Sequence, residues 1–223
     1  MIITIDGPAG SGKSTIARHV AKTLDFTYVD TGAMYRAVAW GLVRDKVDTD
    51  NLEAVSSAIT DYSVSITSVD GQQHFSLDGQ DITDFIRTEE VSRLASKTSA
   101  YPAVRHLLVK LQRKLAENTD TVFEGRDMGT VVFPEAELKV FLTATPEERA
   151  KRRLKDLEKA GSKASFEEIL ASINQRDAND SSREMSPMRP ADDAHLLDTS
   201  TLSIEQVTEK ILSFIPNNKK EVL

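Results

Sequence analysis

GPAGSGKST occupies residues 7–15, directly behind the apolar run MIITID (residues 1–6). After it, Ile16, Val20 and Leu24 recur every four residues, with Ala17 and Ala21 beside them. That spacing predicts one apolar face of a helix. Ile2–Asp6 is short, β-branched and almost wholly apolar, as a strand buried on both faces of a parallel sheet would be. Gly7-Pro8-Ala9-Gly10-Ser11-Gly12-Lys13-Ser14 fits G-x-x-x-x-G-K-[ST] at every fixed position. The glycines let successive N–H groups turn inward as an anion nest, and the following helix adds its unpaired first-turn N–H groups. Lys13 then reaches the outer phosphates of a nucleotide, and the Ser14 hydroxyl is a Mg²⁺ ligand. The strand before and the helix after are the context this loop requires. The motif identifies a phosphate donor site but leaves the acceptor open.

Composition narrows the field. The chain has 223 residues and no cysteine, so it has neither a disulfide framework nor a thiolate metal site. Its four histidines, His19, His74, His106 and His195, lie far apart without ligand spacing, which argues against zinc. A formal net charge of −7 disfavours a general nucleic-acid binder while leaving room for a local basic pocket. No apolar run approaches the ~20 residues that span a bilayer, and the N-terminus does not read as a signal peptide. The expectation is a protein of the reducing cytoplasm.

FTYVD (Phe26–Asp30) reads as a second strand and completes a βαβ opening. The middle differs. Val64–Thr67 and His74–Gly79 are short strand-like pieces, with Asp70-Gly71 between them and Asp78-Gly79 at the end of the second. They suggest a small antiparallel insertion. A helix-rich stretch runs from Thr88 to about Leu115, interrupted at Tyr101-Pro102. The α/β rhythm returns with Thr121–Asp127 and Leu138–Ala144. Thr145-Pro146-Glu147-Glu148, Ser165-Phe166-Glu167-Glu168 and Ser203-Ile204-Glu205-Gln206 are helix starts of capping-box type. The tail from Asn217 to Leu223 is polar.

Three groups of arginines are placed to receive an anion. Asp30-Thr31-Gly32-Ala33-Met34-Tyr35-Arg36 follows the second strand, and the carboxyl ends of parallel strands are where open α/β sheets bind ligands. Glu124-Gly125-Arg126-Asp127 ends another strand; the acid could orient Mg²⁺ through water and Arg126 could clamp a phosphate. Arg149, Arg152 and Arg153 share a helix face by spacing, as do Arg176, Asp180 and Arg183 if their helix runs that far. An ordinary charged solvent face would also explain either helical set taken alone.

Taken in order, GPAGSGKST, DTGAMYR, EGRDMGTVVFP, RDANDSSRE and PADDAHLLDTSTLSIEQV make the chain similar to the bacterial cytidylate kinases over essentially its whole length. This resemblance implies an α/β, three-layer P-loop NTPase fold. It would have a five-stranded parallel sheet, a monophosphate-binding insertion containing a small antiparallel sheet, and a helical lid. The domain is expected to comprise a core (1–30, 105–144 and 185–223), a monophosphate-binding region (31–104) and a lid (145–184). The implied reaction is transfer of the γ-phosphoryl group of ATP to CMP or dCMP, with Mg²⁺.

Carried over by position, Gly7, Pro8, Ala9, Gly10, Ser11, Gly12, Lys13, Ser14 and Thr15 would hold the ATP phosphates, with Arg149 and Arg153 contributed by the lid. Thr31, Tyr35 and Arg36 would line the monophosphate site. Ser96, Arg105 and Asp127 would read the cytosine edge. Arg126, Arg176 and Arg183 would surround the acceptor and transferring phosphates, and Asp180 would contact the ribose. Ser14 and, through water, Glu124 would hold Mg²⁺. Thr31 and Glu124 stand where the family commonly has serine and aspartate. The implied partners are CMP, dCMP and ATP alone, with no nucleic acid or membrane, and the implied state is a monomer. The residues themselves support a small P-loop kinase; cytosine enters through the resemblance. The alternatives are a P-loop kinase for UMP, AMP or a non-nucleotide acceptor, and a nucleotide switch. The N-K-x-D and D-x-x-G strings of a GTPase switch do not occur.

Overall fold

The computed structural model describes residues 1–69, 72–159 and 164–215. The Asp70-Gly71 turn and the polar tail 217–223 lie outside the described residues. Two compact units emerge, Met1–Val29 with Ala116–Leu223, and Asp30–Leu115.

The chain opens with β1 (Ile2–Asp6), buried from Ile3 onward. Its alternation separates two faces: Ile3 and Ile5 enter the main apolar cluster, while Thr4 and Asp6 turn the other way. After the glycine loop, α1 (Lys13–Leu24) buries Ile16, Ala17, Val20 and Ala21, the face its periodicity predicts. It stops at Asp25, left-handed at φ 56°, whose N–H returns to Ala21 O. β2 (Thr27–Asp30) begins one residue later than the sequence reading, and its last residue caps α2 (Thr31–Arg44) by accepting from Ala33 N.

The second unit is continuous in sequence. α2 leads to α3 (Leu52–Ala58), capped by Asn51, and then to a three-stranded sheet. β3 (Val64–Val69) pairs antiparallel with β4 (Gln72–Leu77), which turns through Asp78 (φ 53°) and Gly79 (φ 81°) into β5 (Gln80–Asp81). Both long strands reach further toward residues 70–71 than the sequence reading, because Ser68, Val69, Gln72 and Gln73 join the ladder despite facing solvent for the most part. α4 (Glu89–Thr98) starts on Thr88, and α5 (Pro102–Leu115) has proline at its first position.

The first unit resumes with β6 (Thr121–Gly125), one turn of π-helix at Met128–Val132, and β7 (Leu138–Thr143). Then come α6 (Pro146–Lys159), α7 (Phe166–Ser181), β8 (His195–Asp198) and α8 (Ile204–Ser213). The capping boxes at Ser165 and Ser203 both form in full. The five strands run in the order β2-β6-β1-β7-β8. β1 is central: Ile3 lies opposite Val122 on one side and Leu138 on the other, both parallel. Against one face, α1 and α8 bury Ile16, Val20, Val207 and Ile211 on Ile5, Val122, Val140 and Leu142. The glycine loop thus leaves the carboxyl end of the central strand. One expectation is corrected. α7 ends at Ser181 with Ser182 as its cap, so Arg183 lies beyond the helix that carries Arg176 and Asp180.

Candidate active site

The loop between β1 and α1 is built around backbone. Gly7 has φ +143°, and a Cβ there would stand 2.0 Å from Leu142 O, so the chain passes β7 closer than any side chain permits. Gly12 gives α1 no side-chain cap, and no acid occupies the first turn. The first-turn N–H groups and the positive end of α1 therefore face an incoming anion without an internal competitor.

Lys13 is buried, and its ammonium donates to Pro8 O at 2.7 Å and Ser11 Oγ at 3.5 Å. Burial and the nearby Arg126 pull it down to about 7, with Arg176 adding to the effect and Glu124 and Asp6 opposing it. Several cations thus crowd a desolvated loop, an arrangement that favours a bound anion. Ser14 Oγ donates to Glu124 Oε2 at 2.9 Å, and Tyr28 OH donates to Glu124 Oε1. Arg18 lies over the Tyr28 ring, 5.2 Å from its centroid. Tyr28 is a residue that sequence reasoning missed; nothing along the chain links position 28 to position 124.

Arg126 Nε donates to Asp180 Oδ2 at 2.9 Å, and Arg183 Nη2 donates to Asp180 Oδ1. Burial opposes ionisation of Asp180, but Arg126, Arg183 and Arg176 outweigh it and hold the carboxyl below the usual carboxylate range. One carboxylate thus gathers three guanidiniums, and two of them, Arg126 and Arg176, also act on Lys13. Asp127, next in sequence, is 3% exposed.

The other arginines take different places. Arg149 is buried; Nε donates to Ala144 O at 3.0 Å, and Nη1 donates to Ala9 O at 2.9 Å and to Asp177. Asp177 Oδ1 also accepts from Ala9 N at 3.3 Å, so this acid of α7 braces the shoulder of the glycine loop. Sequence reasoning missed Asp177 as well. Its only signal was that a buried Arg149 would need an anionic partner. Arg152 donates to Thr199 Oγ1 at 3.0 Å, while Arg153 is exposed.

Within the second unit, Thr31 is buried as the first residue of α2, and Arg36 Nη2 donates to Asp30 Oδ2 at 3.2 Å. Arg105 is 3% exposed, donates to Ser99 O at 3.4 Å and sits 5.9 Å from the ring centroid of the buried Tyr35. Ser96 Oγ is shielded from solvent without a hydrogen-bond partner, a hydroxyl ready to receive one. Arg105, Tyr35 and Ser96 would be costly polar burials for packing alone.

A parallel sheet with a phosphate-binding loop at its central strand, and a lysine beside clustered guanidiniums, define a P-loop phosphotransferase. A solved structure of an uncharacterized protein from Eubacterium ventriosum shares the fold, with TM-score 0.54 at 12% identity, covering 96% of this chain and 98% of that one. The family model described as cytidylate kinase matches residues 3–217. The cytidylate kinase of Carboxydothermus hydrogenoformans is 47% identical over 223 residues, spanning 100% of both chains. That of Caldicellulosiruptor saccharolyticus is 45% identical over 210 residues, 94% of this chain and 93% of its own. The chain belongs to the cytidylate kinase family.

Proposed function

We infer that this chain transfers the γ-phosphoryl group of ATP to CMP and dCMP, giving ADP and the nucleoside diphosphate. The observation that carries this reading is the Lys13–Arg126–Arg176 group at the phosphate-binding loop of a cytidylate kinase family member. The family match favours it over another acceptor or a nucleotide switch. The reaction joins an oxygen of the acceptor phosphate to the γ-phosphorus and breaks the bond from that phosphorus to the β–γ bridging oxygen, which leaves with ADP. The second pKa of a phosphate monoester is about 6. The acceptor oxygen is therefore already anionic near neutral pH and needs no strong base. The barrier is repulsion between two anions, and the protein's task is to position them and neutralise their charge.

We assign that neutralisation to Lys13, Arg126, Arg176 and Arg183, with Asp180 holding the last three in register and contacting the ribose. Residues 7–15 would wrap the ATP phosphates. Thr31, Tyr35 and Arg36 would grip the acceptor phosphate, and Ser96, Arg105 and Asp127 the base. Residues 145–184 would act as the lid, with Arg149 and Arg153 on the ATP side. The Ser14 hydroxyl and Glu124 carboxylate are hard oxygen donors of the kind Mg²⁺ takes. Among the described residues no set of three or more His, Cys, Asp or Glu could hold a metal without further ligands. Such a site suits an ion that shares its ligands with phosphates and water. When bound, Mg²⁺ would add charge neutralisation at the β- and γ-phosphates. No described helix is long and apolar enough to cross a membrane. We extend the reading to a cytoplasmic monomer acting on free nucleotides.

The direct test offers ATP with CMP, dCMP, UMP or AMP and follows ADP release. CMP and dCMP are expected to be preferred, because cytosine presents an N4 donor where uracil presents an acceptor. Facing uracil, Asp127 would lose a partner, a loss of roughly 1–3 kcal/mol, or at least about fivefold in kcat/KM. Better turnover with UMP than with CMP would reverse the assignment.

Lys13 supplies a second expectation. With its ammonium pulled down to about 7, it is partly neutral near pH 7, and neighbouring phosphates would raise its affinity for a proton. ATP binding near pH 7 should therefore take up a fraction of a proton, on the order of half. Calorimetry in buffers of different ionisation enthalpy measures this uptake directly. The same uptake in Lys13→Met would assign the proton to another group.

A further inference from the structure

We propose that Asp6 is a positioning residue for base recognition: the last side chain of β1 fixes the turn that carries Asp127. The proposal rests on the reading of Asp127 as the acceptor for the cytosine amine.

Asp6 is 4% exposed and uses both carboxylate oxygens on backbone. Oδ1 accepts from Met128 N at 2.9 Å and Oδ2 from Gly129 N at 2.8 Å. These are the two peptides that follow Asp127. On the other side of the same turn, Val131 N and Val132 N converge on Asp127 O at 2.9 and 3.3 Å. These contacts fix the backbone on both sides of Asp127, and with it the direction in which its side chain leaves the chain. Its approach to β1 is also close. A Cβ on Gly129 would come within 3.0 Å of Thr4 Oγ1 and 3.3 Å of Lys139 Cδ. Thr4 and Asp6 form the face of β1 that turns away from the α1 and α8 cluster, and this turn is what they meet. Burial pushes the Asp6 carboxyl up to about 6, so keeping it ionised at neutral pH works against solvation. A charged, bidentate acceptor offers directional contacts that an apolar residue cannot. Because Gly7 is the next residue, β1 ends in the phosphate loop and grips the turn carrying the base-reading acid with its final side chain.

The test compares Asp6→Asn, Gly129→Ala and Asp127→Asn with the unaltered enzyme, measuring KM for CMP and ATP and the ratio of kcat/KM for CMP over UMP. Asn at position 6 turns an NH₂ toward one of the two N–H groups, and Ala at 129 presses the turn against the Thr4 and Lys139 side chains. Either change should raise KM for CMP about tenfold and lower the CMP:UMP ratio at least about fivefold, as loss of a charge-assisted hydrogen bond implies. KM for ATP should rise less than KM for CMP in both, and least in Gly129→Ala, because Asp6→Asn also removes a negative charge that acts on Lys13.

If Asp127→Asn loses base preference while a folded Asp6→Asn keeps it, the role of Asp6 is overturned and that of Asp127 stands. Equal losses for CMP and ATP in Asp6→Asn, with the CMP:UMP ratio intact, would reduce Asp6 to a structural residue and overturn the proposal too. If Asp127→Asn keeps its preference, the reading of Asp127 fails first. Should Asp6→Asn not fold, Gly129→Ala decides, and an unchanged CMP:UMP ratio there refutes the positioning role.

Discussion

Lys13→Ala is expected to lower kcat by at least about a hundredfold, the scale of losing one preorganised donor to a developing charge. The size follows from where the ammonium sits. It is buried, held at 2.7 Å by Pro8 O, and close enough to Arg126 and Arg176 for their charges to depress its pKa. Electrostatic contacts in such a desolvated position are much stronger than in water. On the proposed function alanine removes a charge that acts on the transferring group, so kcat should fall more than the affinity for ATP. Stability should change little or rise, because an ammonium taken out of water costs several kcal/mol in isolation. Steady-state ADP release with saturating CMP, beside a thermal melt, separates these effects. A folded Lys13→Ala enzyme with kcat within about tenfold of the original would remove Lys13 from the transition-state machinery.

Gly7→Ala carries the second large effect, on folding rather than turnover. The new methyl would meet Leu142 O at 2.0 Å and Leu142 C at 3.0 Å, on a backbone at φ +143°. Leu142 belongs to β7, which is hydrogen-bonded between β1 and β8 and cannot retreat without breaking a ladder. Overpacking against backbone, added to strain at a left-handed φ, belongs with the substitutions that cost more than about 4 kcal/mol. For a chain of this length that lowers Tm by about 10 °C or more. Differential scanning fluorimetry on purified protein measures it. A Tm within about 2 °C of the original would mean that the loop can rebuild itself, and that the close approach to β7 is unimportant.

The parts of the molecule legible in the sequence are those whose physics is local. The phosphate loop is a fixed spacing of glycines, Lys13 and Ser14, and the helix after it declares itself by Ile16 and Val20. Ser165 and Ser203 announce capping boxes because donor and acceptor lie three residues apart. Strand limits were less legible at β3 and β4. There the ladder continues through Ser68, Val69, Gln72 and Gln73, three of them polar, which carry no apolar alternation. The end of α7 was hidden for a related reason: RDANDSSRE has helical spacing up to Arg183, yet the helix stops at Ser181. Arg183 still meets Asp180, by folding back over the cap. The residues missed altogether are Asp6, Tyr28 and Asp177. Each is a polar side chain whose partner, at Met128, Glu124 or Arg149, lies far along the chain. Sequence pattern shows that a buried polar atom needs a partner, but the partner's address is set only when the strands assemble.

The central place of β1 has a consequence for biosynthesis. Ile2 finds its neighbour at Thr121 and Ile3 its other neighbour at Leu138, so both flanks of the first strand are made long after it. A ribosome adds roughly 5–20 residues per second, and contacts this distant in sequence form slowly. The segment proposed to hold ATP therefore leaves the exit tunnel first and acquires its shape among the last. Through that interval Ile2–Asp6 is an unpaired, sticky strand edge, so a translation arrest before residue 138 would release a chain prone to aggregate and unable to bind nucleotide.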